Sequence, residues 1–118
     1  FVHLAHLPHD RIPPVFASAH IYVYPSLHEG STVSIYEAMA TGLPVIATPN
    51  AGSFVQDGID GFIVPVRDIE ALRARIVRPP DDHGPPSRMG AAAQRNAADL
   101  TWDAYSRRIA NILSDLLK

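Results

Sequence analysis

The run Leu43-Pro44-Val45-Ile46-Ala47-Thr48 is the tightest constraint on the fold of this 118-residue chain. It is apolar without the alternation of a half-exposed strand, the pattern of a strand covered on both faces in a parallel sheet. Thr32 to Thr41, just before it, has helical composition, and Gly42 stands where such a helix needs a stop. His28-Glu29-Gly30-Ser31 reads as the loop that leads in. Loop, helix and buried strand in this order are parts of a βα repeat.

Two carboxylates sit in that segment, Glu29 in the loop and Glu37 inside the helix, with seven residues between them. The helix N-terminus near Ser31 and Thr32 offers unpaired backbone N–H groups and the positive end of the dipole to a phosphate. Glu29 and Glu37 flank that anion site, and each can accept two hydroxyl hydrogen bonds. The arrangement can grip a sugar nucleotide. A bare pair of glutamates at this spacing equally describes two solvated carboxylates near a helix dipole.

The remaining chain continues the alternation. Phe1 to Leu4 reads as a short strand, and Pro13-Pro14 suits the first turn of a helix, where a missing N–H costs little. Ile21 to Tyr24 reads as a strand ended by Pro25, and Phe62 to Val64 as a fourth strand. Asp68 is placed to cap a helix over Ile69 to Val77. Arg78 to Pro86 is a loop, after which Ser87 caps an alanine-rich helix. Thr101 caps a final amphipathic helix within residues 101–118, whose apolar face is Trp102, Tyr105, Ile109, Ile112, Leu113, Leu116 and Leu117. Strands alternating with helices imply an α/β fold with a Rossmann-like parallel sheet. Ligands on such sheets bind beyond the strand C-termini, where Pro25 to Gly30 falls.

With these residues in view, the chain resembles the nucleotide-sugar-binding domain of retaining glycosyltransferases of family 4, which have the two-domain GT-B architecture. The family's PSxxEG string appears as Pro25-Ser26-Leu27-His28-Glu29-Gly30. Its EAMAxGxPVIAT string appears as Glu37-Ala38-Met39-Ala40-Thr41-Gly42-Leu43-Pro44-Val45-Ile46-Ala47-Thr48. Arg11 to Ala19, the Gly52 region, Asp57 to Pro65 and Thr101-Trp102 are similar to further segments of that domain. The chain departs from the pattern after the first glutamate, where Ser31-Thr32 replaces the usual Phe-Gly or Pro-Asn.

The resemblance implies a parent enzyme that moves a hexose from a nucleoside diphosphate sugar to an acceptor. It implies that Glu29, Gly30, Ser31 and Thr32 lie at the donor sugar, that Glu37 holds the ribose diol, and that the backbone of Ser31, Thr32 and Val33 lies at the diphosphate. No residue is assigned as a bond-breaking acid or base, and no metal or other cofactor is expected. Two other readings stay open, a sugar-nucleotide epimerase of GT-B shape and a non-catalytic nucleotide-sugar-binding or assembly subunit.

Charge distribution bears on completeness. Arg11 is the only Lys or Arg among residues 1–66, and the other nine of the ten lie from Arg67 onward. A diphosphate site normally includes a cation, and the family supplies an Arg and a Lys upstream of Phe1. The chain is therefore expected to be a piece of the C-terminal, donor-binding domain, without its N-terminal acceptor domain and inactive alone. A formal charge of −2 gives no reason to expect nucleic acid. No apolar run approaches the ~18 residues of a membrane-spanning helix. The absence of cysteine rules out a disulfide framework and suits a reducing, cytoplasmic setting, with any membrane contact falling to the missing domain.

Single residues carry smaller expectations. His3, His6 and His9 recur at every third position but run from strand into loop, so they do not share a face as helical metal ligands do. His28 is the histidine nearest the expected ligand. Phe16, Tyr22 and Tyr24 read as core, and Trp102 as the anchor of the last helix. Gly42, Gly58 and Gly61 read as turn glycines, whereas Gly30 and Gly52 are either turn residues or points of close approach to ligand.

Overall fold

β2 (Val45–Ala47) is the central strand of a three-stranded parallel sheet and is buried throughout, as its unbroken apolar run requires. The computed structural model describes residues 3–78 and 87–118. β1 (Tyr22–Tyr24) pairs on one side of β2 in the register Tyr22 to Val45, and β3 (Gly61–Ile63) on the other in the register Val45 to Gly61. The other elements are α1 (Ile12–Ala17), α2 (Val33–Ala40), α3 (Ile69–Val77), α4 (Arg88–Ala98) and α5 (Trp102–Leu116). A short 3₁₀ turn, His9–Arg11, leads into α1, which carries its prolines in its first turn. The Rossmann-like α/β class is therefore the observed one, with strand and helix ends within two residues of those read from the sequence.

The expected first strand is not formed where it can be seen. Phe1 and Val2 lie outside the described residues, while His3 and Leu4 are exposed and belong to no strand. Among the described residues three strands form, not four. An apolar run becomes a strand only where a neighbour supplies the ladder, and the outer edge of β1 pairs with no strand among the described residues. The loop expected over Arg78 to Pro86 lies, apart from Arg78, outside the described residues.

Three helix caps follow the sequence reading. Asp68 accepts from the N–H of Ala71, Ser87 from that of Gly90, and Thr101 from that of Ala104, at 2.9, 2.9 and 3.1 Å. The core forms where α2 and α4 meet the sheet, from Ile35, Met39, Val45, Ala47, Ala51, Ala93 and Ala97. Small residues on α4 permit this, since a Cβ at Gly90 would stand 2.1 Å from the carbonyl oxygen of Gly42. Gln94 also donates across the seam to the carbonyl of Ala40 at 3.1 Å. Tyr22 and Tyr24, two apart on β1 and so on one face, stack on each other and pack against this core, with Phe16 edge-on to Tyr22.

Asp60 is a buried carboxylate at 1% exposure, and both of its oxygens are used. Oδ1 accepts the N–H of Gln56 at 2.7 Å and Oδ2 accepts the side-chain amide of Asn96 at 2.7 Å, tying the turn before β3 to α4. Gly61 is not the turn glycine expected. It opens β3 beside β2, where a Cβ would lie 2.3 Å from the carbonyl oxygen of Val45.

Trp102 does not anchor the last helix. It is 75% exposed and stacks edge-on against Tyr105 of the same helix, and α5 as a whole contributes no buried residue. Its amphipathic pattern is present, but Trp102, Tyr105, Ile109, Ile112, Leu113, Leu116 and Leu117 on its apolar face all remain exposed.

Candidate functional site

Two loops follow the C-terminal ends of β1 and β2, residues 25–32 and 48–52, and they are bound to each other along their length. Glu29 donates its N–H to the carbonyl of Asn50 at 2.8 Å, and Asn50 returns a side-chain N–H to the carbonyl of Leu27 at 3.1 Å. The Thr48 hydroxyl donates to the carbonyl of Ser26. Thr32 donates its hydroxyl to Ala51 at 2.7 Å, and its N–H reaches the carbonyl of Gly52 at 3.4 Å. Tyr36, one turn into α2, adds a hydrogen bond from its hydroxyl to the same Gly52 carbonyl at 3.1 Å. The first loop is thereby held against the second by five residues.

Gly52 makes the approach possible. Its φ of +60° and a hypothetical Cβ only 2.3 Å from the carbonyl oxygen of Gly30 leave room for no side chain. Of the two roles open to Gly52, close approach is therefore real, but to backbone. Gly30 differs, because a Cβ there would meet nothing within 4 Å.

Glu29 lies in the exposed part of this loop. Its Oε1 accepts from the Tyr24 hydroxyl at 3.2 Å and the Ser26 hydroxyl at 3.1 Å, so β1 and the motif's own serine aim the carboxylate. Ser31 and Val33 are exposed, while Thr32 is buried at the N-cap of α2. The hydroxyl of Thr32 does not cap the helix, being spent on Ala51. Among the described residues the amides of Gly30, Ser31, Val33 and Ser34 hydrogen-bond to nothing, so the N-terminal end of α2 presents free donors.

Glu37 lies one turn further along α2, with its side chain 30% exposed. Its Oε1 is 2.8 Å from Nε2 of His9, which the turn before α1 brings across from 28 residues away. Beneath it, Tyr22 donates its hydroxyl to Ser34 at 2.8 Å. Burial pushes the Tyr22 phenol above the ordinary tyrosine range, the Ser34 bond only partly offsetting this, so it stays neutral.

The loop side of the site, Glu29 to Val33, is thus assembled on one α2 N-terminus, and Glu37 follows on the same helix. His28 is exposed beside Glu29. The histidine triplet does not converge, since His9 is turned to Glu37, and no group of three or more metal-ligating side chains occurs among the described residues. Asp68 and Glu70, acids separated by one residue, serve α3, Asp68 as its cap and Glu70 beside Arg73. Sequence reasoning missed Tyr24 and Ser26 as partners of Glu29, His9 as partner of Glu37, and Thr48 and Asn50 as loop ties. The polar residues that immediately follow the β2 run were the available signal for the last two. No local signal marked His9.

A parallel α/β domain with an anion-ready helix end beyond its strands is the class that this geometry defines. A model of the family described as "Glycosyl transferases group 1" matches residues 2–82, and the chain belongs to that family. Among its relatives is the D-inositol 3-phosphate glycosyltransferase of Streptomyces griseus, 34% identical over 110 residues, or 92% of this chain and 23% of that one. Another is the UDP-Gal:alpha-D-GlcNAc-diphosphoundecaprenol alpha-1,3-galactosyltransferase of Escherichia coli, 37% identical over 62% of this chain and 19% of that one. The solved structure of Anabaena HepE in complex with UDP-glucose superposes with a TM-score of 0.70 at 27% identity, covering 88% of this chain and 30% of that one. The fold is that of the matching part of the Anabaena structure, and the chain spans less than a third of the length of each of these three proteins.

Proposed function

We propose that this chain is the nucleotide-sugar-binding part of a retaining glycosyltransferase that moves a hexose from a nucleoside diphosphate sugar to an acceptor. The observation that carries the reading is the placement of Glu29, the free amides of Gly30, Ser31, Val33 and Ser34, and Glu37 in sequence around one helix N-terminus beyond a parallel sheet. Support comes from the UDP-glucose held by the Anabaena structure and from the UDP-Gal donor named for the E. coli relative. Glu29 binds hydroxyls of the transferred sugar, Glu37 binds the ribose diol, and the amides take the diphosphate.

In this reading the chain's own groups act by position. The free amides stabilise charge that grows on the departing diphosphate, a contribution that needs no proton transfer. The Tyr24 and Ser26 hydroxyls hold Glu29 so that the sugar is met by a fixed carboxylate. The donor site requires no metal ion, since the helix end supplies the positive potential. A second domain of the parent chain carries the acceptor, and residues 1–118 alone transfer no sugar.

The test is a transfer assay on the full-length parent with UDP-, GDP- and ADP-hexoses, reading the anomeric configuration of the product. Transfer with the donor's configuration kept is the expected result. Inverted product overturns the retaining mechanism, epimerised nucleotide sugar without acceptor selects the epimerase, and turnover by the 118-residue chain alone removes the need for a partner domain.

A further inference from the structure

We infer that His9 is a positioning residue for the ribose-binding carboxylate, holding Glu37 in the rotamer that meets the nucleotide. The inference rests on the role proposed for Glu37. His9 Nε2 and Glu37 Oε1 are 2.8 Å apart, the one hydrogen bond to the Glu37 carboxylate among the described residues. A partly exposed glutamate on a helix is otherwise free to sample several rotamers, and ordering it on binding costs entropy. A hydrogen bond made before the ligand arrives removes part of that cost.

His9 is built to do this without being buried. Its turn is closed by the N–H of Arg11 on the carbonyl of Pro8 at 2.9 Å, with Pro8 on one flank and Pro13 and Pro14 in the first turn of α1 on the other. Three prolines restrict the backbone on both sides of the imidazole. The ring itself is 84% exposed, so core packing does not explain its orientation. The bond also leaves Glu37 able to bind. Oε1 keeps further acceptor capacity and Oε2 has no partner among the described residues, so a vicinal diol can engage both oxygens with His9 still in place.

The experiment uses the full-length parent and its His9→Ala, His9→Gln, Glu37→Gln and His9→Ala/Glu37→Gln variants. Titration calorimetry reads affinity for UDP, GDP and ADP, which share the ribose, and steady-state kinetics read KM and kcat for the donor. His9→Ala is expected to weaken the nucleotide that wild type binds by about 3- to 10-fold, the scale of coupling between directly contacting residues. Donor KM should rise with kcat little changed, because ribose binding is common to ground and transition states. His9→Gln, which keeps a donor N–H, should recover most of the loss, and the double variant should bind no more weakly than Glu37→Gln alone.

The outcomes separate the two ideas. If Glu37→Gln weakens the nucleotide while His9→Ala leaves it unchanged, tightens it, or adds fully to Glu37→Gln, the positioning role is wrong and the Glu37 role stands. If Glu37→Gln leaves all three nucleotides bound as before, the Glu37 role fails and the positioning role with it.

Discussion

Three glycines provide a graded test of how the donor loop is held. At Gly52, alanine meets two penalties. The φ of +60° costs an L-residue about 1–2 kcal/mol. The new Cβ would also sit 2.3 Å from the carbonyl oxygen of Gly30, against an ordinary contact of 3.4 Å, so the two loops must part by about 1 Å. That movement strains the Glu29 to Asn50, Thr32 to Ala51 and Tyr36 to Gly52 hydrogen bonds, each with a net contribution of about 1 kcal/mol. The sum predicts a loss of about 3 kcal/mol or more for Gly52→Ala. Gly58→Ala has the first penalty alone, since its φ is +75° but nothing lies within 4 Å, and should cost about 1 kcal/mol after the gain from a stiffer unfolded chain. Gly30→Ala has neither and should leave stability unchanged or slightly raised. Urea unfolding of the full-length parent, with hydrogen exchange at residues 26–52 to isolate this domain, measures the series. UDP-hexose titration adds the functional reading, because the open side of Gly30 is where the donor sugar is proposed to lie. Gly30→Ala should therefore lower donor affinity at unchanged stability. A Gly52→Ala no less stable than Gly58→Ala would refute the close-approach argument.

Other expectations follow from the same geometry. Glu37→Gln should weaken free nucleoside diphosphate and intact donor alike, by about 10- to 100-fold, whereas Glu29→Gln should spare the free nucleotide and lower donor affinity or kcat; calorimetry with both ligands decides. Transfer by the full-length parent should survive EDTA without rescue by Mg²⁺ or Mn²⁺, as checked by initial rates before and after chelation. The raised Tyr22 phenol gives the fold an alkaline limit. Between the unfolded value of about 10 and the higher folded one, the unfolded chain binds fewer protons, so stability falls as pH rises through that window. Tyr22→Phe should flatten this fall while lowering stability at neutral pH through loss of the Ser34 bond, as read by thermal unfolding from pH 8 to 12.

Local chemistry in the sequence was enough for most of what depends on neighbours along the chain, the Ser26 hydroxyl bond to Glu29 three residues on being the exception. The buried β2 run, the stop at Gly42 with its φ of +81°, and the Asp68, Ser87 and Thr101 caps each involve residues within a turn of one another. The Glu29 loop and the α2 N-terminus were legible for the same reason. Tertiary structure decided what depends on contacts across the chain. It turned Thr32 away from capping and toward Ala51, used Gly52 to admit the Gly30 backbone, and placed Gly61 against β2. It also brought His9 to Glu37 from 28 residues away, where an imidazole in a proline-flanked turn carries no sequence mark of its partner. The last helix shows the limit from the other side. Its amphipathic pattern specified a helix and an apolar face, but a 3.6-residue period says only that one face is apolar, not what meets it, and Trp102 stands exposed instead of anchored. Periodicity and capping are written in short-range spacing, while pairing, close approach and hydrogen bonds between distant loops exist only once the backbone has closed in three dimensions.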